Sequence, residues 1–335
     1  MAASLQDVAR MVGVSISTVS RALHRPEMVD AATRERINVA VAALGYVPQG
    51  VGRALVSRRT RSIGAVVPSI GVSAFGQTIE ALRQGLGMAN YTLLLAQPSI
   101  KEQADLSPLR TLIERGVDGI VLLGNDCPPP WIDLITKNDL PFATIWADSG
   151  NALAGAIGFD NYVAGRKAAE HLLDLGHREF AFISGHLAFN QRARQRYQGL
   201  LETIAAGGGR LSRDLIAETD YGFAEGYQAT KELLGKRLKF SALICGNDYL
   251  ALGATACLRE HGLSIPNEVS VIGFNDSQFS AFVDPPLTTI HFPSVEIGML
   301  AAKTLLAAID STEPMPPPQM LPTFLVKRSS TGPAA

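Results

Sequence analysis

With 335 residues, 47% of them hydrophobic and 18% charged, the chain lies in the ordinary globular range, and its length allows about two domains of roughly 150 residues. That composition excludes a wholly disordered chain, and no run approaches the roughly 20 apolar residues that a membrane span needs. A formal net charge of −1, taken alone, points away from a nucleic-acid partner. The start, MAASLQDVAR, has no basic stretch leading into an apolar run, so no secretory leader is expected. Cys127, Cys245 and Cys257 are widely spaced and form no Cys-x-x-Cys pair, which implies reduced thiols and a cytoplasmic protein.

The charge is unevenly spread. Residues 1–61 hold nine arginines against four acids, a net of +5, which leaves −6 for residues 62–335. A small basic head on an acidic body is the pattern expected when only the head meets phosphate. Within that head, Leu5, Val8, Ala9 and Val12 recur at helical spacing and predict a first helix with one apolar stripe. Gly13 breaks it and Ser15 caps the next helix. In the second helix Val19, Ala22 and Leu23 face inward, while Ser17, Ser20 and Arg21 point away, with Ile16 at the border. Asp30 caps a third helix that carries Ile37, Ala40, Val41 and Leu44, and Gly45 ends it. The Ala9, Gly13 and Val19 spacing suits a helix-turn-helix: a small residue for close approach, a glycine for the turn, an aliphatic for the junction. The early residues of the second helix then face base edges in the major groove.

The stretches LQDVARMVGVSISTVSRAL and TRERINVAVAALGYVP, continuing through GVGRALVSRRTRSIGAVVP, resemble the lactose/galactose repressor (LacI/GalR) family of bacterial transcription regulators. The likeness runs over essentially the whole chain, with a fainter similarity to gluconate-type regulators within that family. It implies an all-α helix-turn-helix head at residues 1–47, a hinge helix and linker at 48–61, and an effector-binding and dimerisation body at 62–335. By the same resemblance Ile16, Ser17 and Arg21 read bases, and Ser15, Thr18 and Ser20 bond phosphates. A place at the edge of the head's core is the other reading of Ile16. Gln49–Ser57 resembles a hinge helix that forms on operator DNA, with Leu55 as the wedge in the minor groove and Arg53 two residues before it. Gly50 and Gly52 depart from the family there, and each costs about 1 kcal/mol relative to alanine inside a helix.

From residue 62 apolar strands alternate with amphipathic helices. Strands are expected at Ser62–Val67, Tyr91–Ala96, Gly119–Leu123, Phe142–Trp146, Phe180–Ser184, Ala242–Cys245 and Val269–Phe274. Helices are expected at Gln77–Ala89, Glu102–Arg115, Ala164–Leu175, Ala193–Ala205 and Tyr249–Glu260. That alternation predicts doubly wound parallel sheets, and the length suits two of them. The resemblance implies a periplasmic-binding-protein-like α/β body. Its first lobe spans about 62–160 plus 292–321 and its second about 161–290 plus 322–330, with crossovers near Asp160, His291 and Pro322. Ligands in such folds bind at the carboxyl ends of the strands, between the lobes.

Effector positions carried over from the family are Phe75 and Asp160 on the first lobe, and Asn190, Arg192, Arg196, Tyr221 and Asn275 on the second. Solvated helix charge is the other reading for Arg192 and Arg194, and Asp248 is expected to order a helix start. The family often has aspartate where this chain has Asn275, which makes an anionic ligand more tolerable. The effector is therefore expected to be a sugar or a sugar acid. No phosphate-binding glycine loop, nucleophile elbow or metal-ligand spacing occurs: Gly85 and Gly87 fall mid-helix, and the six histidines are scattered. Pro128–Pro130 and Pro316–Pro318 read as turns or surface loops. No cofactor, metal or catalytic activity is expected. The chain reads as an allosteric repressor that binds a pseudo-palindromic double-stranded operator as a homodimer, since no heptad repeat follows Pro322 to build a tetramer. A sugar-binding transport component is the alternative, against which the basic head speaks.

Overall fold

A computed structural model describes residues 3–47, 59–67, 75–98, 105–124, 127–150, 152–236, 238–311 and 314–334. The chain divides into two compact units, Met1–Arg61 and Ser62–Ala335.

In the first unit, helix α1 (Leu5–Val12) opens on a reciprocal cap. Asp7 N–H donates to Ser4 Oγ at 3.3 Å, and Ser4 N–H donates to the Asp7 carboxylate at 3.0 Å. Gly13 closes it at φ +72°, a conformation that favours glycine. Helix α2 (Ile16–His24) starts at Ser15, and α3 (Ala31–Leu44) starts at Asp30, whose carboxylate accepts from Thr33 N–H at 2.9 Å. Val8, Ala9, Val12, Val19, Ala22, Ile37 and Ala40 form one buried cluster between the three helices.

In the second unit the chain runs β1 (Ser62–Val66), α4 (Phe75–Met88), β2 (Thr92–Ala96), α5 (Ser107–Glu114), β3 (Gly119–Leu123), α6 (Pro129–Lys137), β4 (Phe142–Ala147) and β5 (Ala156–Gly158). It continues through α7 (Asn161–Asp174), β6 (Glu179–Ser184), α8 (Gln191–Ala206), β7 (Arg210–Glu218), α9 (Phe223–Leu234), β8 (Ala242–Cys245), α10 (Asp248–Glu260), β9 (Ser270–Asn275), β10 (Thr288–His291), α11 (Ser294–Asp310), β11 (Gln319–Met320) and β12 (Phe324–Val326). One sheet has the order β11-β5-β4-β3-β1-β2 and the other β12-β10-β9-β8-β6-β7. The paired strands are parallel except β10 with β12. Runs such as Gly119–Leu123 and Ser270–Asn275 are apolar because helices cover both faces of a parallel sheet.

The strands not foreseen are short or irregular. β5, β10, β11 and β12 have four residues or fewer, and edge strand β7 mixes charged with apolar residues and carries a register shift against β6; helices α9 and α11 were not foreseen either. Pro128–Pro130, expected as a turn, instead opens α6. Prolines fit there because first-turn N–H groups have no intrahelical acceptor.

The chain passes between the sheets three times: from β5 to α7, from β10 to α11, and from β11 to β12. One carboxylate joins the last two passages. Asp276 accepts from Arg328 Nη2 at 2.6 Å and lies 3.1 Å from His291 Nδ1, and the His291 ring stacks on Phe324 at 4.4 Å. Lys167 of α7 donates to the Thr323 carbonyl in the third passage.

Helices α7 and α8 approach backbone to backbone. A Cβ at Gly165 would lie 2.1 Å from the Arg196 carbonyl oxygen, and one at Gly199 would lie 2.1 Å from that of Tyr162. A methyl group gains about 1 kcal/mol in helix propensity but must push the backbones of both helices apart, so overpacking wins. Gly199→Ala is expected to lower stability by about 1–3 kcal/mol in urea unfolding; an unchanged midpoint would refute this packing.

The C-terminal segment docks on the second lobe through two buried histidines. His177 Nε2 lies 3.0 Å from both Ser270 Oγ and the Gly332 carbonyl, and His171 Nε2 lies 2.9 Å from Thr331 Oγ1. Burial holds both imidazoles below the ordinary histidine value, His171 at about 4 with help from nearby Lys327. The unfolded chain takes up these protons below about pH 6.5 while the folded chain resists, so stability is lost as the pH falls from there toward 4. His171→Gln is expected to flatten the pH dependence of unfolding between pH 7 and 4 by up to about 3 kcal/mol relative to the parent, measured by denaturation at each pH. Parallel curves would show that His171 does not titrate in this way.

Candidate nucleic-acid interface and effector cleft

Helix α2 begins where it does because Ser15 Oγ accepts from Thr18 N–H at 3.1 Å, and that hydroxyl also lies 2.8 Å from Ser17 Oγ and from Thr18 Oγ1. Its core face is fixed by Val19 and Ala22. The opposite face leaves Ser17 and Arg21 exposed and Ile16 46% exposed, with Thr18 and Ser20 half-buried. Nearby arginines are engaged locally: Arg10 pairs with Asp7 at 3.4 Å and Arg36 donates to the Val12 carbonyl at 2.5 Å. Arg21 has no ion pair among the described residues. The face thus offers a guanidinium fork, a hydroxyl and an apolar side chain within one and a half turns, groups that match guanine edges, several bases and a thymine methyl. Arg53 and Leu55, with Gly50 and Gly52, lie outside the described residues.

In the body, side chains of both lobes meet beyond the carboxyl ends of the strands. Trp146, near the end of β4, is the centre of an aromatic cluster: ring centroids lie 4.9 Å from Phe75, 5.4 Å from Phe159 and 5.8 Å from Phe292. Phe159 and Phe292 stack at 4.2 Å, and Phe274 completes the group at 5.9 Å from Phe292. The indole is anchored by Nε1 donating to Thr78 Oγ1 at 2.9 Å, both side chains being buried.

Against these rings α8 sets two arginines one turn apart. Arg192 lies 5.8 Å over Phe75, so it reaches from the second lobe to the first. Arg196 is 7% exposed and lies over Phe274 at 5.3 Å and Phe292 at 5.5 Å. Its Nη2 donates to Tyr221 Oη at 3.4 Å, and it has no ion pair among the described residues. Burial pushes its guanidinium below the ordinary arginine value, with the Tyr221 hydroxyl acting against that. Asn190 caps α8 by accepting from Ala193 N–H at 3.2 Å and donates to Tyr221 Oη at 3.4 Å. Asn275, buried at the end of β9 at φ +110°, lines a cavity of 540 Å³ with Gln77, Tyr249, Phe279 and Phe282.

The acids around the cleft are tied up in local structure. Asp160 caps α7, accepting from Val163 N–H at 2.8 Å and Ser149 Oγ at 3.1 Å. Asp148 accepts from both the backbone N–H and the Nδ2 of Asn161 at 3.1 Å. Asp248 does not cap α10, which is the work of Asn247. It accepts instead from Thr289 Oγ1 at 2.6 Å, Ser277 N–H at 2.6 Å and Ser280 Oγ at 3.0 Å, and burial pushes it up to about 6. The structure thus brings Phe75, Asn190, Arg192, Arg196 and Tyr221 together, sets Asn275 in the adjoining cavity and gives Asp160 to a helix start. Sequence reading missed Trp146, Phe159, Phe274 and Phe292, since aromatics ending apolar runs look like ordinary core. Among the described residues no group of His, Cys, Asp and Glu could hold a metal ion, and no helix is long and apolar enough to cross a membrane.

Residues 4–49 match the family described as bacterial regulatory proteins, lacI family, and residues 169–331 match a periplasmic binding protein-like domain. The chain is 31% identical over 323 residues to the HTH-type transcriptional repressor PurR of Glaesserella parasuis serovar 5, covering 96% of this chain and 95% of that protein. To the HTH-type transcriptional regulator RegA of Clostridium saccharobutylicum it is 29% identical over 332 residues, covering 99% and 100%. Among solved structures it is similar to the lac repressor dimer bound to operator and the anti-inducer ONPF, with TM-score 0.84, 25% identity and coverage of 99% and 100%. It is also similar to the transcriptional regulator CelR–cellobiose complex, with TM-score 0.71, 28% identity and coverage of 98% and 99%.

A basic helix-turn-helix head followed by a two-lobed α/β body defines a DNA-binding transcription regulator with an effector-binding domain, not an enzyme. The chain belongs to the lacI family of bacterial regulatory proteins.

The cluster around Trp146 is testable by itself. Trp146→Phe leaves the buried Thr78 hydroxyl without its donor and is expected to cost about 1–3 kcal/mol in chemical unfolding. Adding Thr78→Val removes the stranded hydroxyl, so the double variant should lose less than the two single changes summed. Additive losses would show that the bond is not what holds the indole.

Proposed function

We propose that the chain represses transcription as a homodimer on a pseudo-palindromic operator, and that a sugar or sugar acid bound between the lobes of the body changes its affinity for DNA. Residues 1–47 form the DNA-reading head in this proposal, and 48–61 form the hinge and linker. The operator work falls to Ser15, Ile16, Ser17, Thr18, Ser20 and Arg21 on α2, with Arg53 and Leu55 in the hinge. The observation that carries it is the outer face of α2, where Arg21 projects from a helix packed by Val19 and Ala22. Phe75, Asp160, Asn190, Arg192, Arg196, Tyr221 and Asn275 take the effector, with Asp160 also capping α7.

Dimerisation is supported by apolar surface on the body. Phe282 is 88% exposed beside a groove between α9 and α10 that Phe223, Tyr227 and Val283 line, and a second groove between α4 and α11 borders exposed Met88. Apolar patches of this kind on a DNA-binding protein suit an isologous pairing, which a two-fold operator matches. Such a regulator works where its operator is, in the cytoplasm. Effector control then runs through a shift in the population able to bind DNA, set by how the lobes close.

The test starts from an operator selected out of randomised duplexes by the full chain. Arg21→Ala is expected to weaken that operator by about 1–3 kcal/mol, roughly 5- to 150-fold, and to relax discrimination at one base pair in each half-site. Unrelated duplex should lose far less. Equal loss on both in fluorescence-anisotropy titrations would reduce Arg21 to a phosphate contact.

A further inference from the structure

We propose that the cavity at the end of β9 takes an uncharged sugar ring, so that the effector is a glycoside of two or more rings whose outer ring stacks on Tyr249 and Phe279 and bonds Gln77. This rests on the effector reading above and adds a second ring to it.

The cavity shares a wall with the cleft on each lobe. On α4, Phe75 belongs to the Trp146 cluster, and Gln77, two residues on, lines the cavity. On β9, the Phe274 ring lies beneath Arg196, and the next residue, Asn275, lines the cavity. A ligand that spans both walls therefore has one part in the cleft and another in the cavity. The volume of 540 Å³ falls within the roughly 300–1,000 Å³ of small-molecule sites.

Its chemistry selects the class. None of the described residues that line it is charged. The two acids beside it are engaged, Asp276 with Arg328 and His291, and Asp248 with Thr289, Ser277 and Ser280. An ionised ligand group would give up its water there without meeting an opposite charge. Asn275 is more than nine-tenths buried, and among the described residues neither its side-chain amide nor that of Gln77 makes a hydrogen bond. A side-chain amide both donates and accepts, and so does each hydroxyl of a sugar. The aromatic wall sets the shape. The Tyr249 and Phe279 rings stand 5.1 Å apart at 70°, and Phe223 is tilted 58° to the first and 57° to the second. Rings at such angles make a concave surface and leave no parallel slot for a flat heterocycle. The negative face of an aromatic ring attracts the C–H groups on one side of a pyranose. The wall is also formed in advance, because Asp248 accepts from Ser277 N–H and Ser280 Oγ and so fixes the turn Gln278–Ala281 that carries Phe279.

The experiment titrates the full chain by calorimetry with the disaccharides maltose, cellobiose, lactose, melibiose and sucrose, each against its component hexoses. Gluconate and glucuronate serve as charged monomers and adenine as a flat uncharged base. At least one disaccharide is expected to bind about tenfold or more tightly than either of its hexoses. Phe279→Leu keeps apolar bulk but removes the ring face, and it should cancel that gain while leaving hexose affinity within about threefold of the parent's. Gln77→Leu makes the same comparison from the first lobe, and the ratio on the unaltered chain decides the matter if neither variant folds. Disaccharides no tighter than their hexoses, preference for adenine or a charged monomer, or a gain that survives both variants would each overturn the inference. So would equal weakening of disaccharide and hexose, which would make the wall a support for the fold alone. Binding of a hexose or sugar acid with no gain from a second ring would leave the effector reading standing, whereas silence across the whole panel would count against both.

Discussion

The carboxylate of Asp276 holds together what the covalent chain alone cannot. Three passages join the two sheets, and the last two need a fixed relation to one another for the lobes to keep their register. Asp276 supplies it by receiving Arg328 from beyond the third passage and facing His291 at the second, while Lys167 reaches the third from α7. The same carboxylate follows directly on Asn275, which lines the cavity beside the cleft. The residue that lines the cavity and the residue that joins the two passages are therefore one peptide bond apart. Arg192 over Phe75 joins α8 of the second lobe to α4 of the first.

The division of charge follows the same economy of place. The basic residues that would meet phosphate are concentrated in the first 61 residues, and the body carries the excess of acid. Long-range attraction to a polyanion then acts on the head and not on the sensing domain, and it is screened over about 10 Å at ordinary salt. Within the body, the acids that border the cleft are tied to helix starts and strand ends, so they organise the cleft's backbone.

Much of the fold was legible because its signals are periodic. The three head helices announce themselves through the spacing of Val8, Val12, Val19, Ile37 and Ala40, and through Ser15 and Asp30, whose side chains cap helices only at such positions. The central strands read clearly because a run such as Gly119–Leu123 is buried on both faces. Part of what escaped has a physical reason. β5 and β11 are too short to show a period, β7 is an edge strand with charged residues along it, and α6 starts on prolines that signal a turn when read singly. In the candidate site, resemblance could nominate Arg196 but not its surroundings. Whether an arginine is paired depends on residues as distant in sequence as Tyr221, Phe274 and Phe292. Asp160 adds a role the resemblance did not indicate: its carboxylate also caps α7, accepting from Val163 N–H and Ser149 Oγ.

The backbone at Asn275 and Asp276 has φ of +110° and +55°, two successive residues in a region that side chains other than asparagine, aspartate and glycine enter at a cost. That kink sends one side chain to the cavity and the next to the junction of the two passages, so neither position is free to vary by chemistry alone. A β-branched or bulky residue at 275 would have to unbend the backbone and pull Asp276 off Arg328. The facing side differs, because Phe75 and Arg192 stand on ordinary helical backbone. Backbone geometry thus restricts which side chains position 275 accepts, and no such restriction acts at 75 or 192.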